Sequence, residues 1–180
     1  LQKAASIIPA KTGTAYLRSI WLKAEDAQIS VLATDANLEF CGSYKADVKE
    51  TGLVGVQGRV LVDLIRKLPQ GTITFRLDKE SGNFLIEQGR RKYKLPTHDA
   101  SWFQNFSDFP EEGTIVWSGA YIQELIEKVM FCIGDEDAME AIACLYMKPV
   151  EDNCVEVCGL NGHQFAMQKF RNEDLSALMP

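Results

Sequence analysis

Only two histidines, His98 and His163, occur among the 180 residues, which narrows the acid–base chemistries open to the chain. No continuous apolar run reaches the roughly 20 residues of a helical membrane span, so none is expected. The opening Leu1-Gln-Lys-Ala-Ala-Ser6 has neither an initiator Met nor a signal-peptide layout, and a trimmed start is the expectation. Positive charge is not in excess. The net charge is −6, which argues mildly against a freestanding nucleic-acid binder while leaving local patches open. The five cysteines, Cys41, Cys132, Cys144, Cys154 and Cys158, are odd in number with mostly apolar neighbours. They read as reduced, buried thiols of a cytoplasmic protein.

Three motifs fail on geometry. Cys154 and Cys158, with His163 nearby, have metal-binding letters. On one strand, however, four residues span about 13 Å, and zinc needs each sulfur within about 2.3 Å of one ion, so no metal is expected. His98-Asp99-Ala-Ser101 has the letters of a nucleophilic triad, but adjacent loop side chains point apart, and triads are assembled from distant segments. The glycines at 52, 55 and 58 are too spread to cradle a phosphate.

What the sequence does contain is a repeat. Ile29-Ser-Val-Leu-Ala-Thr-Asp-Ala-Asn-Leu-Glu-Phe40 returns about 126 positions later as Val155-Glu-Val-Cys-Gly-Leu-Asn-Gly-His-Gln-Phe-Ala166, a spacing of domain size. Each copy is an alternating strand, a short Asp/Asn turn and a second alternating strand. An amphipathic helix, a connector and another strand precede each. The expectation is one complete repeat followed by a truncated second, cut from something larger.

Leu1, Ala4, Ala5 and Ile8 space as the apolar stripe of a helix that Pro9 ends. Strands are expected at 15–23, where Arg18 sits awkwardly, and at 28–34, 38–45 and 52–57. Over 58–68 the period changes to helical. Val60, Leu61, Leu64, Ile65 and Leu68 form one face, with Arg59, Asp63, Arg66 and Lys67 on the other. Such a face is commonly just solvated; its functional reading is toward phosphate. Strands at 72–78, 84–88 and 91–95 and a linker over 97–113 follow. Next come a strand at 114–117, a helix over 121–130 with Ser118 as its cap, an acidic connector at 134–140, and strands at 141–147, 154–160 and 164–170. The fold class is α+β, antiparallel sheets with amphipathic helices on one face.

In order along the chain stand Ala33-Thr-Asp-Ala-Asn-Leu-Glu39, Val56-Gln-Gly-Arg-Val-Leu-Val-Asp-Leu-Ile-Arg-Lys-Leu-Pro69, the stretch 89–95, Phe109-Pro110 and Asn161-Gly-His163. This set resembles the bacterial DNA polymerase III beta subunit, the sliding clamp, over residues 1 to about 170. The chain departs from that family at three places. Leu160-Asn-Gly-His-Gln-Phe165 replaces Thr-Asp-Gly-His-Arg-Leu, Met139 stands where members often carry Arg, and Tyr16-Leu-Arg-Ser19 replaces Leu-Pro-Ile-Leu.

The resemblance implies the DNA-clamp fold, a ring of two subunits with three similar domains each, helices lining the hole. Residues 1–110 would be the first domain without its opening strand, and residues 111–180 the first half of the second. Lys11, Arg59, Arg66 and Lys67 would face DNA. Lys92, Tyr93, Lys94 and Leu95 would form the edge that pairs with the neighbouring subunit. Leu160, His163 and Phe165 would belong to a groove for peptides of polymerase and clamp-loader subunits. The implied activity is processivity, by encircling double-stranded DNA without sequence preference. It needs no catalytic residue and no cofactor. Two rivals stand beside this reading. One is an α+β interaction module recruiting a partner through the exposed strand edge, without DNA binding; the other is a small-molecule enzyme with a deep pocket around His163.

Overall fold

The computed structural model of the chain describes residues 1–9, 14–106, 112, 115–134 and 142–177, with the backbone of 178. Contacts divide it into two compact units, Leu1–Ser107 and Asp108–Pro180. Both are α+β with antiparallel strands. Among the described residues no helix is long and apolar enough to cross a membrane.

The first unit opens with α1 (Gln2–Ile7) and a 3-10 turn at Tyr16–Arg18. Strands β1 (Ser19–Glu25), β2 (Gln28–Thr34), β3 (Glu39–Lys45) and β4 (Gly52–Gln57) follow, then α2 (Gly58–Arg66). Strands β5 (Thr74–Asp78), β6 (Asn83–Gln88) and β7 (Arg91–His98) complete a seven-stranded sheet of order β3-β2-β1-β4-β7-β6-β5. Period-2 alternation sends Ile20, Leu22, Val31, Ala33 and Val56 to one sheet face. Ala4 and Ile8 of the first helical segment and Leu61 and Val62 of α2 are buried against that face. The helix docks without clearance: a Cβ on Gly58 would collide with Ile8 Cδ1 and lie 2.9 Å from Ile20 Cγ1. The other face carries Trp21, 1% exposed, whose ring covers Gly55 across the β1–β4 register and meets Phe103 at 5.3 Å.

The second unit contains α3 (Gly119–Met130), β8 (Tyr146–Val150), β9 (Cys154–Leu160), β10 (Phe165–Arg171) and α4 (Glu173–Leu178). Its sheet order is β10-β9-β8. Leu125 and Val129 of α3 pack with Val155, Val157 and Phe170, and Leu175 of α4 joins them. Here too the approach is tight, for a Cβ on Gly159 would sit 2.6 Å from the Val129 carbonyl oxygen.

The sequence repeat is a repeat of backbone geometry. Asp26 and Ala27 turn β1 into β2 with φ of 47° and 60°, and Asp152 and Asn153 turn β8 into β9 with 62° and 54°. Consecutive positive φ values match the right-handed twist of a hairpin. In the next turn Asp35 Oδ1 accepts from the N–H groups of Asn37 and Leu38 at 2.8 and 2.7 Å. Asn161 Oδ1 accepts from His163 and Gln164 at 3.0 and 2.8 Å. Ala36 and Gly162 hold φ of 82° and 86° at equivalent positions. Even the bond from Ala46 N–H to the Ala27 carbonyl recurs, as Asn172 N–H to that of Asn153.

Several expected elements move. Residues 16–18 are a 3-10 turn and not strand, which leaves Arg18 exposed and removes the oddity of a cation among apolar neighbours. On α2, Val60 is 41% exposed while Val62 is buried, because docking at Gly58 turns the 61/62/65 side inward. Residues 115–117 form no strand, and β8 starts at Tyr146 instead of 141. Ser118 occupies the N-cap of α3 without a side-chain capping bond. Cys41 and Cys144 are exposed, contrary to uniformly buried thiols; Cys132 and Cys158 are buried. The acidic connector lies mostly outside the described residues. Helix α4 was not anticipated, although Asn172 followed by Glu173 and Asp174 is a capping signature, and Asn172 Oδ1 does accept from Leu175 N–H at 2.9 Å.

Two outcomes are expected. An L-residue held in the left-handed region costs about 1 kcal/mol or more. Ala36→Gly, which installs the residue its repeat carries at 162, should therefore raise stability by roughly 0.5–1 kcal/mol after glycine's unfolded-state entropy is deducted. A denaturant midpoint below the parent's would show that this turn is unstrained. Gly159→Ala and Gly55→Ala should each cost about 1–3 kcal/mol through overpacking, whereas Gly52→Ala, with nothing within 4 Å of its Cβ, serves as the near-neutral control. Thermal unfolding midpoints for the three variants provide the comparison, and equal shifts would contradict the close approaches.

Candidate nucleic-acid interface

Helix α2 sorts its side chains by side. Leu61 and Val62 are buried and Ile65 half-buried, while Arg59, Asp63, Arg66 and Lys67 are exposed. Arg59 and Arg66 are seven residues apart, two turns or about 10.5 Å along the axis. Lys67 follows as the C-cap in helical conformation, so two cations stand at the C-terminal end, where the helix dipole favours them. None of the three has an ion-pair partner among the described residues. Lys11 lies outside the described residues.

Helix α3 differs in charge. Its outward side binds itself, with Lys128 Nζ 2.8 Å from Glu124 Oε1 and Gln123 Nε2 donating to Glu127 Oε1 at 2.7 Å. The Lys128 ammonium holds the Glu124 carboxyl below the usual carboxylate range. The α3 surface therefore presents no unpaired cation to an anionic partner.

Strand β7 corrects two expectations. It continues to His98, and its end pairs with β4 at Gly55↔His98 and Val56↔Thr97, so by order it lies inside the sheet. Residues 91–96, in contrast, pair only with β6 among the described residues, which leaves their other side open. Lys92 and Lys94 are exposed, Lys92 lying 3.7 Å from Glu87. Tyr93 is half-buried and Leu95, 9% exposed, belongs to the unit's own core. The Leu95 side chain is therefore not part of the free surface, because alternation points it with Tyr93 toward the helices.

In the second unit Leu160 and Phe165 are cross-strand partners flanking the turn that carries His163. All three are exposed. Met139 lies outside the described residues. Alternation puts Cys158, Met167 and Tyr146 on the same face as Leu160 and Phe165. The sequence reading missed these neighbours. Period-2 spacing from Phe165 could have found Met167, but Tyr146, although inside the expected strand 141–147, joins them only through the β8–β9 register.

The remaining motifs have local roles. Asp99 Oδ1 accepts from Ser101 N–H at 2.9 Å, capping the 3-10 turn Ala100–Trp102. His98 stacks on Trp102 at 5.8 Å. Burial, with a smaller contribution from Arg18, lowers the pKa of His98. Two surface hollows, of about 640 and 430 Å³, are lined by Pro69–Thr72 with Gln88–Arg91 and by residues of α1, α2 and Tyr44. His163 lines neither. Among the described residues no three His, Cys, Asp or Glu side chains are placed to hold a metal ion.

Comparison with known proteins gives one consistent result. Residues 1–107 match the DNA polymerase III beta subunit, N-terminal domain. The beta sliding clamp of Vibrio cholerae is 25% identical over 93% of this chain and 45% of its own length. That of Streptomyces coelicolor is 26% identical over 97% of this chain and 46% of its own. A crystal structure of a Bartonella birtlesii sliding clamp bound to griselimycin superposes with a TM-score of 0.87 at 20% identity, covering 95% of this chain and 46% of that one. The clamp from Bacillus subtilis gives 0.85 at 17% identity, covering 99% and 53%. The chain thus spans about half the length of the relatives it matches. By the match over more than half of its residues, the chain belongs to the DNA polymerase III beta subunit family.

Proposed function

We propose that this chain is part of a ring-forming processivity clamp, which encircles duplex DNA and tethers the replicative polymerase. The observation that carries the reading is α2: its apolar side is buried on the sheet and its other side offers Arg59, Arg66 and Lys67 without ion-pair partners among the described residues. Cations held this way give a sequence-independent attraction to phosphate, and loose contacts break and reform without fixing a register. Residues 1–110 would be the first clamp domain and 111–180 the first half of the second. The open side of residues 91–96, with Lys92 and Lys94 beside it, would receive a strand from the neighbouring subunit of a homodimer. Leu160, His163 and Phe165 would take peptides of the polymerase and the clamp loader. The work is topological, so no catalytic group or cofactor is called for, and the reading places the protein in the cytoplasm. A strand-edge module without DNA binding leaves the unpaired cations of α2 unexplained.

The test is a titration of labelled duplex with the 180-residue chain at several salt concentrations. The three described cations allow a log–log salt slope no steeper than about −3, at about 0.9 per neutralised phosphate. Affinity should stay in the non-specific range, with a dissociation constant of roughly 10⁻⁴ M or weaker at physiological salt. Arg66→Glu should abolish binding and Lys128→Glu should leave it unchanged, because Lys128 is already tied to Glu124. Submicromolar affinity, or indifference to Arg66→Glu, would show that this surface is not a clamp lining.

A further inference from the structure

The outward face of the β8–β10 sheet is built in rows across the strands. Cross-strand register places Leu160 beside Phe165, then Tyr146, Cys158 and Met167 in line, then Lys148, Glu156 and Lys169. Successive rows are two residues apart, about 7 Å. Tyr146 is 60% exposed, Leu160 44%, Phe165 62% and Met167 55%. Single exposed apolar residues need no explanation, but four large ones on two adjacent rows form a patch of the kind that marks interaction sites. Cys158 lies between Tyr146 and Met167 and is itself buried, so no polar gap splits the patch. The opposite face is occupied by α3 and Leu175 of α4; neither helix covers this one.

The charged end decides the occupant. Lys148 Nζ is 3.1 Å from Glu156 Oε1, which uses the one carboxylate of that row. Lys169, and Arg171 beyond it, have no ion pair among the described residues. The strip is thus apolar at the hairpin turn and cationic about 13 Å away, on a chain whose net charge is −6. We propose that this outer sheet face is a docking strip for an extended peptide that places two apolar side chains on the Leu160/Phe165 and Tyr146/Met167 rows and a carboxylate at Lys169. The proposal rests on the partner-recruiting reading of Leu160, His163 and Phe165. It adds Tyr146, Met167 and Lys169, and an acidic requirement on the partner. In an extended peptide every second side chain faces the sheet, which fixes the pattern as apolar, any, apolar, any, acidic. A second copy of the chain fits less well, since its own matching face offers only Glu156, already paired with Lys148. Thioether adaptability at Met167 suits a surface that accepts more than one apolar side chain.

The probes are two fluorescein-labelled peptides containing Leu-Ser-Phe-Ser-Asp or Leu-Ser-Phe-Ser-Lys, titrated by anisotropy against the full 180-residue chain at low salt. The acidic peptide should bind at least tenfold tighter than the basic one, with the ratio shrinking as salt rises. Lys169→Glu should invert the preference, and Met167→Ser should weaken both peptides. Both substitutions sit on exposed side chains, and unchanged circular dichroism confirms the fold. Equal affinity for the two peptides would overturn the proposal, as would no binding of either. Loss of binding in Phe165→Ser with no response to Met167→Ser or Lys169→Glu would also overturn it, while leaving the recruitment reading intact. Sedimentation showing a dimer that Met167→Ser dissolves would assign the face to a second copy and reject the peptide.

Discussion

Each unit is organised by helices on one face of an antiparallel sheet, one of them pressed against it with no room to spare. Gly58 lets α2 begin against Ile8 and Ile20, and Gly159 lets β9 pass under the Val129 carbonyl of α3. At such distances the helix cannot rotate or slide without collision, since packed interiors are bistable rather than deformable. That fixes which side of α2 is apolar and inward, and therefore which side carries Arg59, Arg66 and Lys67. It also fixes the reverse faces of the sheets. In the first unit, residues 98–106 fold an aromatic cover of His98, Trp102, Phe103 and Phe106 near Trp21; in the second, the equivalent side carries the exposed Tyr146, Leu160, Phe165 and Met167.

Strands β2, β4 and β9 were legible to the residue because their alternation and their bounding turns agree. The repeat was legible as letters, yet its depth was not. Nothing in Ala27 or Ala36 announces a left-handed backbone, because alanine is a poor choice for it; only the Asn153 and Gly162 copies reveal what those positions require. The misses have the same origin. Val60 and Val62 are both β-branched and apolar, and a wheel of period 3.6 cannot say which is inward until the contact at Gly58 sets the rotation. Residues 15–18 look like strand by composition, but the first ladder pair of β1 with β4 is Ser19↔Gln57, so the chain ahead of it is free to coil. Partner counts along β7 were beyond reach too, since pairing is a property of the neighbour and not of the strand.

The candidate site was legible where one element carries it and illegible where several do. Arg59, Arg66 and Lys67 are neighbours on a single helix, so spacing alone groups them. Leu160, Tyr146 and Met167 come from three strands, and their grouping depends on two registers that no local pattern contains. Leu95 shows a different limit of reading one strand at a time. The resemblance puts its backbone on an edge with Lys92 and Lys94, while alternation sends its side chain into the core beside Phe84.

Charge completes the contrast between the two helices. Both expose polar sides, and both carry cations there, but free energy toward a phosphate depends on charges left unneutralised. Helix α3 satisfies Lys128 internally through an (i, i+4) pair with Glu124, an arrangement that supports the helix at the cost of an outward field. Helix α2 spaces Asp63 among three cations without closing an ion pair with any of them, and its net charge stays positive within an acidic chain. An acidic background repels the same polyanion that α2 attracts, so contact is confined to a small surface and falls away steeply with distance and salt. On the proposed clamp reading, weak and local attraction would combine with enclosure to hold DNA without stopping on it. Under the same reading, tight binding through a broad basic face would slow any sliding, because each phosphate contact must break before the next forms.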